Sequence, residues 1–351
     1  MGGFRTRAVL LVALLAAALG VVGTGALSAP RERVSFGTAI SVMSTPYYVM
    51  ANRGLLTKRG LDADLRLFNS GQEVAKALAA GDLTFGDSAV NNFQAAIQAG
   101  LDVVGFMVLP MGEGGSRNND RPLAIVASGE SGVRKPEDLR GKTVGLSLGG
   151  SAELYLRAVL ERAGLSADRD VRMVQVLPTN AVQALRSRQV DAISGWEPFP
   201  TQILREVPGS TLVVRGGGYF NYISFALTRR STFQSRRDLV KKYIEAAAEA
   251  AWLVRRDARQ AAQAASTWMP GVGLDVLVES LGNVPFDPRI TEYTRIAWDT
   301  SYRFLSRYGR LKGPVPMQGY VDTTLLNEVV REHPEWFADL QPARLLQLRI
   351  R

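Results

Sequence analysis

The residues whose types and spacing could bind a ligand lie in short loops at the ends of predicted strands, and a glycine-serine turn is the most informative of them. Residues 143–148 are predicted to form a strand, and two glycines then lead into an amphipathic helix with Ser151 as its capping residue and Gly164 at its end. The first N–H groups of a helix have no partner within it, and the helix dipole is positive at that end. We therefore expect Gly150, Ser151 and Ala152 to hold an anionic or polar oxygen without a charged side chain.

Polar residues that follow other predicted strands form a second group of candidates. Thr45 is predicted to cap a helix, and Asp87 with Ser88 to begin another, so a capping role is the alternative to ligand contact at each place. Trp196 is interpreted as a wall of the binding cleft, or alternatively as a core residue beside a solvated Glu197. The candidate contacts outside the glycine turn are Ser41, Thr45, Gln72, Asp87, Ser88, Asn180, Trp196 and Glu197.

Catalytic chemistry finds little support in the sequence. The chain has no cysteine, and its single histidine, His333, lies in the segment EHPEW, where the end of a surface helix is the expected setting. No set of His, Cys and acidic residues has the sequence spacing of a metal site. The sequence therefore predicts no catalytic residue, no metal and no cofactor, and it favours a binding function.

The first 28 residues have the features of a secretory signal peptide. Arg5 and Arg7 precede an apolar run at residues 8–22, and Ala26 to Ser28 fits a signal-peptidase site. The apolar run is shorter than the ~20 residues that span a membrane, although an uncleaved N-terminal anchor is the alternative. We expect a periplasmic protein. Because the chain has no cysteine, we expect neither a cysteine-linked lipid anchor nor disulfide bonds.

The charge of the chain is basic but dispersed. The formal net charge is +9, and the basic residues occur in scattered pairs such as Lys241 and Lys242. No basic block alternates with aromatic residues in the way that a nucleic-acid surface would require. We therefore expect a solvated basic surface with a mild attraction for anions, and no nucleic-acid partner.

Strand and helix signals alternate along the chain after the signal segment, which predicts an α/β fold with mostly parallel sheets. The segment AGLSAD at 163–168 is similar to RGLDAD at 59–64, and the spacing of the elements around each is nearly constant. Two similarly built lobes are expected. Residues 34–122 and 229–351 are assigned to the first lobe and residues 123–228 to the second.

Two extended runs, at 122–128 and 222–228, are interpreted as the strands that cross between the lobes. From about residue 231 onward the apolar periodicity predicts helices. The segment at 109–121, directly before the first of these runs, is rich in Gly and Asn and is expected to be a loop.

These pieces, in this order, resemble the nitrate/sulfonate/taurine-type substrate-binding proteins of ABC transporters, over about residues 34–330. The resemblance rests on the runs GLLTKRGLDADLRLF, SGQEVAKALAAGDLTFGD, KPEDLRGKTVGLSLGGSAELYLRAVLERAGL and VDAISGWEPF. It implies a type II periplasmic-binding-protein fold with two lobes, each a mostly parallel sheet flanked by helices, two crossing strands and a helical C-terminal region. It also implies that the ligand binds between closing lobes and is delivered to an ABC permease with its ATPase at the inner membrane. We expect the binding protein to be a monomer.

The identity of the ligand stays open at this point. The glycine turn suits a sulfonate, nitrate or carboxylate oxygen, whereas Glu197 and Asp87 would favour an amine or an N–H-rich ring. A zwitterionic aminosulfonate such as taurine satisfies both, and a thiamine-pyrimidine-type or other aromatic nitrogenous ligand is the alternative. Enzymatic branches similar to this family use Cys or His residues that the lobes of this chain lack. An enzyme or a sensory subunit on the same scaffold is therefore the less favoured reading.

Overall fold

The computed structural model of the chain describes residues 31–109 and 120–350, and residues 33–351 belong to one compact unit. The predicted signal peptide at 1–28 and most of the predicted loop at 109–121 lie outside the described residues. Among the residues that are described, no helix combines the length and the apolar character needed to cross a lipid bilayer.

The first sheet has the strand order β2-β1-β3-β10-β4. Its strands are β1 (Glu32–Ala39), β2 (Leu61–Phe68), β3 (Phe85–Ala89), β4 (Val103–Val108) and β10 (Ser224–Arg229). Strands β1 and β3 are parallel, and β10 runs antiparallel to both β3 and β4. Every residue of β4, VVGFMV, is buried, as expected for a strand that is covered on both faces.

The second sheet has the strand order β7-β6-β8-β5-β9. Its strands are β5 (Leu123–Ala127), β6 (Thr143–Leu146), β7 (Arg172–Gln175), β8 (Ala192–Trp196) and β9 (Thr211–Arg215). Strand β6 is parallel to β7 and β8, and β5 is antiparallel to β8 and β9. The antiparallel strand, β10 in the first sheet and β5 in the second, is therefore fourth in the strand order of each sheet. This shared order agrees with the repeated sequence pattern.

Helices flank the two sheets and fill the C-terminal third of the chain. They are α1 (Thr45–Asn52), α2 (Gly71–Ala80), α3 (Val90–Gln98), α4 (Ser151–Arg162), α5 (Ala181–Arg186), α6 (Phe199–Glu206), α7 (Arg230–Ser235), α8 (Arg237–Arg256), α9 (Ala258–Ser266), α10 (Leu274–Leu281), α11 (Glu292–Arg307) and α12 (Thr324–Glu332). The predicted helical character after residue 231 is confirmed. Helices α8 and α9 pack on α1, and α10 contacts both α9 and α6.

The two runs that were interpreted as crossing strands are instead members of the sheets. The run at 122–128 forms β5 of the second sheet, and the run at 222–228 enters β10 of the first sheet. The expected second lobe, residues 123–228, therefore includes residues that pair with β3 and β4. The sequence pattern misled here because a buried strand and an extended connection have the same apolar composition.

The chain returns to the first sheet between β9 and β10, and a buried carboxylate fixes this return segment. The side chain of Asp120, which is fully buried, accepts hydrogen bonds from the backbone N–H groups of Gly218, Tyr219 and Phe220 at 3.0, 2.7 and 3.0 Å. Burial raises the pKa of Asp120, and the three N–H groups oppose that rise. The carboxylate thus ties the segment that enters the second sheet to the segment that leaves it.

We predict that Asp120→Ala lowers the free energy of unfolding by about 3 kcal/mol, because it leaves three backbone N–H groups without their charged acceptor. Asp102→Ala is the matched control, since Asp102 is largely exposed and forms a surface ion pair with Arg230 that is worth about 1 kcal/mol or less. Urea denaturation of both variants measures the difference. Equal decreases in the unfolding free energy of the two variants would show that Asp120 does not stabilise the return segment between β9 and β10.

Candidate functional site

A cavity lies between the two sheets, at the carboxyl ends of β1, β2 and β3 on one side and of β6 and β8 on the other. It encloses about 530 Å³, part of which opens to solvent. Ligands of open α/β sheets bind beyond the carboxyl ends of the strands, so this interlobe cavity is the candidate site. The sequence-predicted residues that line it are Ser41, Asp87, Ser88, Gly150, Ser151 and Trp196.

Four helices begin at the wall of the interlobe cavity. The N-cap residues of α1, α2, α3 and α4 are Ser44, Ser70, Ala89 and Gly150, and all four line the cavity. Each helix start carries a partial positive charge on its backbone N–H groups, although the first N–H groups of α1 and α3 already donate to the carbonyls of Val42 and Ile223. The wall therefore favours an anionic group in the cavity, as phosphate and sulfate sites at helix N-termini do.

The glycine turn before α4 has the predicted course with two corrections. Strand β6 ends at Leu146 rather than Leu148, and Gly150 rather than Ser151 is the N-cap residue. Gly149 adopts a left-handed φ of +79°, which only glycine adopts easily, and its N–H donates to Glu153 at 2.7 Å. The Glu153 carboxylate thus ties the glycine turn to the first turn of α4.

The loop after β1 differs from the prediction at Thr45. Thr45 is the first residue of α1 rather than its cap, and its buried hydroxyl donates to the carbonyl of Val42 at 2.6 Å. It does not line the cavity. Its neighbours Ser41 and Ser44 do, because the short 3-10 turn at Val42–Ser44 rotates them toward it.

Hydrogen bonds between the two lobes border the cavity. Gln72, at the start of α2, does not line the cavity; its side-chain amide donates to the carbonyl of Gly149 at 2.8 Å. On the opposite side the indole N–H of Trp196 donates to the carbonyl of Ile40 at 3.2 Å. The Ser41 hydroxyl donates to the backbone carbonyl of Glu197 at 2.9 Å. These bonds hold the two lobes together around the cavity.

The side chain of Glu197 does not reach the cavity, contrary to the interpretation that it could meet a ligand amine. It is fully buried and forms an ion pair with Arg215, and it accepts hydrogen bonds from Thr201 at 2.9 Å and Asn283 at 3.0 Å. The alternative of a solvated glutamate is also wrong. Its partners lie up to 86 residues away in sequence, which local pattern could not reveal.

Asp87 and Ser88 belong to β3 and do not begin a helix, because pairing with β10 extends the strand to Ala89. Asp87 faces the cavity, and its two carboxylate oxygens accept hydrogen bonds from Ser224 at 2.5 Å and Tyr47 at 3.1 Å. Burial raises the pKa of Asp87 from 3.8 to about 7, although both hydrogen bonds act to lower it.

The remaining two predicted contacts lie outside the cavity lining. Ala152 is fully buried, and its carbonyl accepts a hydrogen bond from Ser194 at 2.9 Å. Asn180 is exposed at the end of the short turn Pro178–Asn180. The prediction of ligand contact at Ala152 and Asn180 rests on their positions after a strand or a turn, and such a position does not fix where a side chain points.

The structure adds further residues to the lining of the cavity. These are Ala39, Met43, Ser44, Ser70, Gly71, Ala89, Asn92, Ser147 and Tyr222. Ser147 directly follows β6 and would have been found if the end of that strand had been placed correctly. Gly71 is needed because a Cβ there would lie 2.9 Å from the Ser88 hydroxyl and 3.0 Å from the Asn92 amide.

One cluster elsewhere has the geometry of a metal site. Side-chain ligand atoms of Glu245, Glu332 and His333 lie within 4.8 Å of one another. Cationic side chains already pair with its carboxylates, since Arg59 contacts Glu245 at 3.2 Å and Lys241 contacts Glu332 at 2.8 Å. Each carboxylate of the cluster therefore already has a cationic partner within the chain.

Comparison with known proteins assigns this architecture. Residues 41–261 match the family described as NMT1/THI5 like. A Brucella abortus (strain 2308) protein named as a binding protein is 31% identical over 217 residues, which are 60% of this chain and 59% of that protein. The chain thus spans less than two thirds of that relative. A Bacillus subtilis (strain 168) protein named as an aliphatic sulfonates-binding protein is 24% identical over 331 residues, 93% of this chain and 97% of that one.

A solved structure has the same fold. The alkanesulfonate-binding protein SsuA from Xanthomonas axonopodis pv. citri, determined with MOPS bound, superposes with a TM-score of 0.73 at 21% identity, over 85% of this chain and 100% of that chain. The predicted two-lobed α/β fold of the periplasmic-binding-protein type is confirmed.

We predict that Asp87→Asn changes the pH dependence of stability. Between pH 4 and 7 the folded protein holds a proton on Asp87 that the unfolded chain has released, so the unfolding free energy of the natural protein falls as pH rises through this range. The unfolding free energy of Asp87→Asn does not fall in this way, because asparagine does not titrate. Its melting temperature relative to the natural protein should therefore rise by about 2 °C or more between pH 4.5 and 8.5.

Differential scanning calorimetry of the ligand-free proteins measures that difference. Asp62→Asn is the control, because Asp62 is an exposed residue of β2 and its removal changes the net charge equally. A difference that stays constant with pH would contradict the raised pKa of Asp87.

Proposed function

The chain belongs to the NMT1/THI5-like family, and on this premise we propose that it is the solute-binding protein of an ABC import system whose ligand is a small organic sulfonate. The observation that carries the proposal is the convergence of four helix N-caps on one cavity between two lobes. A sulfonate offers three oxygens, and each can accept hydrogen bonds from backbone N–H groups or hydroxyls.

The hydroxyl groups of the cavity supply further donors for such a head group. The serines that line it come from both lobes and are Ser41, Ser44, Ser70, Ser88, Ser147 and Ser151. Ser41, Ser44 and Ser88 already donate their single hydroxyl protons to the backbone carbonyls of Glu197, Ala39 and Gly71. The donors for a head group therefore come from the other serines, whose hydroxyls rotate to suit a partner. A ligand held from both lobes is bound only when the lobes are together.

The mechanism follows from that requirement. The hydrogen bonds from Gln72, Ser41 and Trp196 join residues of the two lobes, so separation of the lobes would break them. Ligand contacts that also need both lobes add to these bonds, so the ligand shifts the population toward the closed form. The closed form is then the one that a permease distinguishes from the empty protein. A periplasmic location and an N-terminal signal peptide agree with this role.

A second ligand class receives support from the aromatic residues. The rings of Trp196 and Tyr222 line the same cavity as the carboxylate of Asp87. An N–H-rich aromatic ring, such as an aminopyrimidine, could stack on the rings and donate to the carboxylate. We place this class second because the four helix starts favour an anion.

We predict that small alkanesulfonates raise the melting temperature of the mature protein and that Ser151→Pro weakens their binding by about tenfold or more. Proline is well tolerated at the first position of a helix, so this variant removes one N–H and one hydroxyl while it keeps α4. A lost hydrogen bond to a charged ligand costs about 1.5–3 kcal/mol. Thermal-shift assays and calorimetric titration measure both effects.

Ala258→Pro is the matched control, because Ala258 is the exposed first residue of α9 and does not line the cavity. If nitrate, carboxylates, amines and pyrimidines shift the melting temperature and sulfonates do not, the ligand assignment is wrong. If no small solute binds, the solute-binding role itself fails. Recovery of an altered ligand after incubation would instead indicate an enzyme.

A further inference from the structure

Asp87 is the one formally charged side chain among the described residues that line the interlobe cavity. No lysine or arginine from the described part of the chain lines it. The four helix starts and the hydroxyl groups create a wall that favours a negative charge, and Asp87 places such a charge inside it. The cavity must therefore accommodate two negative groups when an anion binds while Asp87 is ionised.

The protein surrounds Asp87 with neutral groups. The titratable side chains that interact with it are Tyr47 and Tyr48 of α1, Tyr222 ahead of β10 and Tyr243 of α8. Burial raises the pKa of each of these phenols above its ordinary value, so they remain neutral donors at physiological pH. None of them supplies a positive charge to balance the carboxylate.

The carboxylate also keeps unused capacity for hydrogen bonds. Ser224 donates to one oxygen and Tyr47 to the other, and an ionised carboxylate has about four acceptor positions. Asp87 itself lines the cavity, so a ligand can reach it. A donor on the ligand would supply the charge balance that the protein does not.

We propose that Asp87 decides which charge type of ligand the interlobe cavity accepts, and that this preference reverses with pH. The ionised carboxylate selects a ligand that carries an ammonium or N–H donor in addition to its anionic head. A ligand that is only an anion binds together with one proton, which passes from the solvent to a carboxylate oxygen of Asp87. This inference rests on the proposed function of the cavity as a sulfonate site.

The two ligand types then have opposite pH dependences. For a purely anionic ligand, affinity falls as pH rises past about 7, since a proton must be taken up for binding. For a zwitterionic ligand, affinity falls as pH drops below about 7, since the proton on Asp87 must leave before the ammonium can pair with the carboxylate. The curves cross.

Taurine and propane-1-sulfonate test the proposal, because they have nearly the same shape and differ by an ammonium in place of a methyl group. Calorimetric titrations at pH 5.5 and 8.0 should show the dissociation constant of propane-1-sulfonate rising about tenfold and that of taurine falling about tenfold. Titrations of propane-1-sulfonate at pH 8.0 in buffers of different ionisation enthalpy should show uptake of close to one proton. In Asp87→Asn both affinities should become independent of pH.

The remaining outcomes separate the proposal from the function on which it rests. If both probes bind with pH-independent affinity, Asp87 does not select charge, although the sulfonate site stands. If neither binds at either pH, the proposed sulfonate function fails and the inference falls with it. Asp62→Asn should behave as the natural protein does, and a pH effect that Asp62→Asn also abolishes would assign it to net charge and overturn the role of Asp87.

Discussion

The placement of four helix starts around one cavity is the constraint on which the rest of the structure depends. In each lobe a parallel strand ends at the cavity edge, and the helix that follows it must begin there. The same strand permutation in the second sheet presents α4 to the helix starts of the first. A cavity with a positive wall therefore results from backbone topology, and it needs no cationic side chain among the described residues that line it.

The buried acid Glu197 stabilises the turn that directly follows Trp196, the last residue of β8, instead of binding ligand. An unpaired carboxylate at such a depth would cost several kcal/mol, and Arg215, Thr201 and Asn283 offset that cost. With its side chain held in this way, Glu197 presents its backbone carbonyl to Ser41 of the other lobe. A structural ion pair thus positions one of the contacts that join the lobes.

Asp87 has the opposite character. Two neutral hydroxyl groups donate to its carboxylate, and burial raises its pKa to about 7 in spite of them. A group whose charge is disfavoured in the folded protein reduces stability at neutral pH, and such groups are common at functional sites. Glu197 and Asp87 differ because Glu197 pairs with Arg215 of the chain, whereas Asp87 accepts hydrogen bonds from neutral hydroxyl groups.

The sequence by itself determined the α/β class, the two-lobed repeat, the helical character after residue 231 and the strand-turn-helix order around the glycine turn, because periodicity and turn residues are local signals. It also indicated Ser41, Ser88 and Trp196 as candidate ligand contacts, and these three residues line the interlobe cavity. Only the tertiary structure decided that Asp87 lies in a strand, that Glu197 is consumed by an ion pair and that Gln72 bridges the lobes. Each of these depends on a partner far along the chain, such as Ser224, Asn283 or Gly149, and pairings over such separations leave no local pattern in the residues themselves.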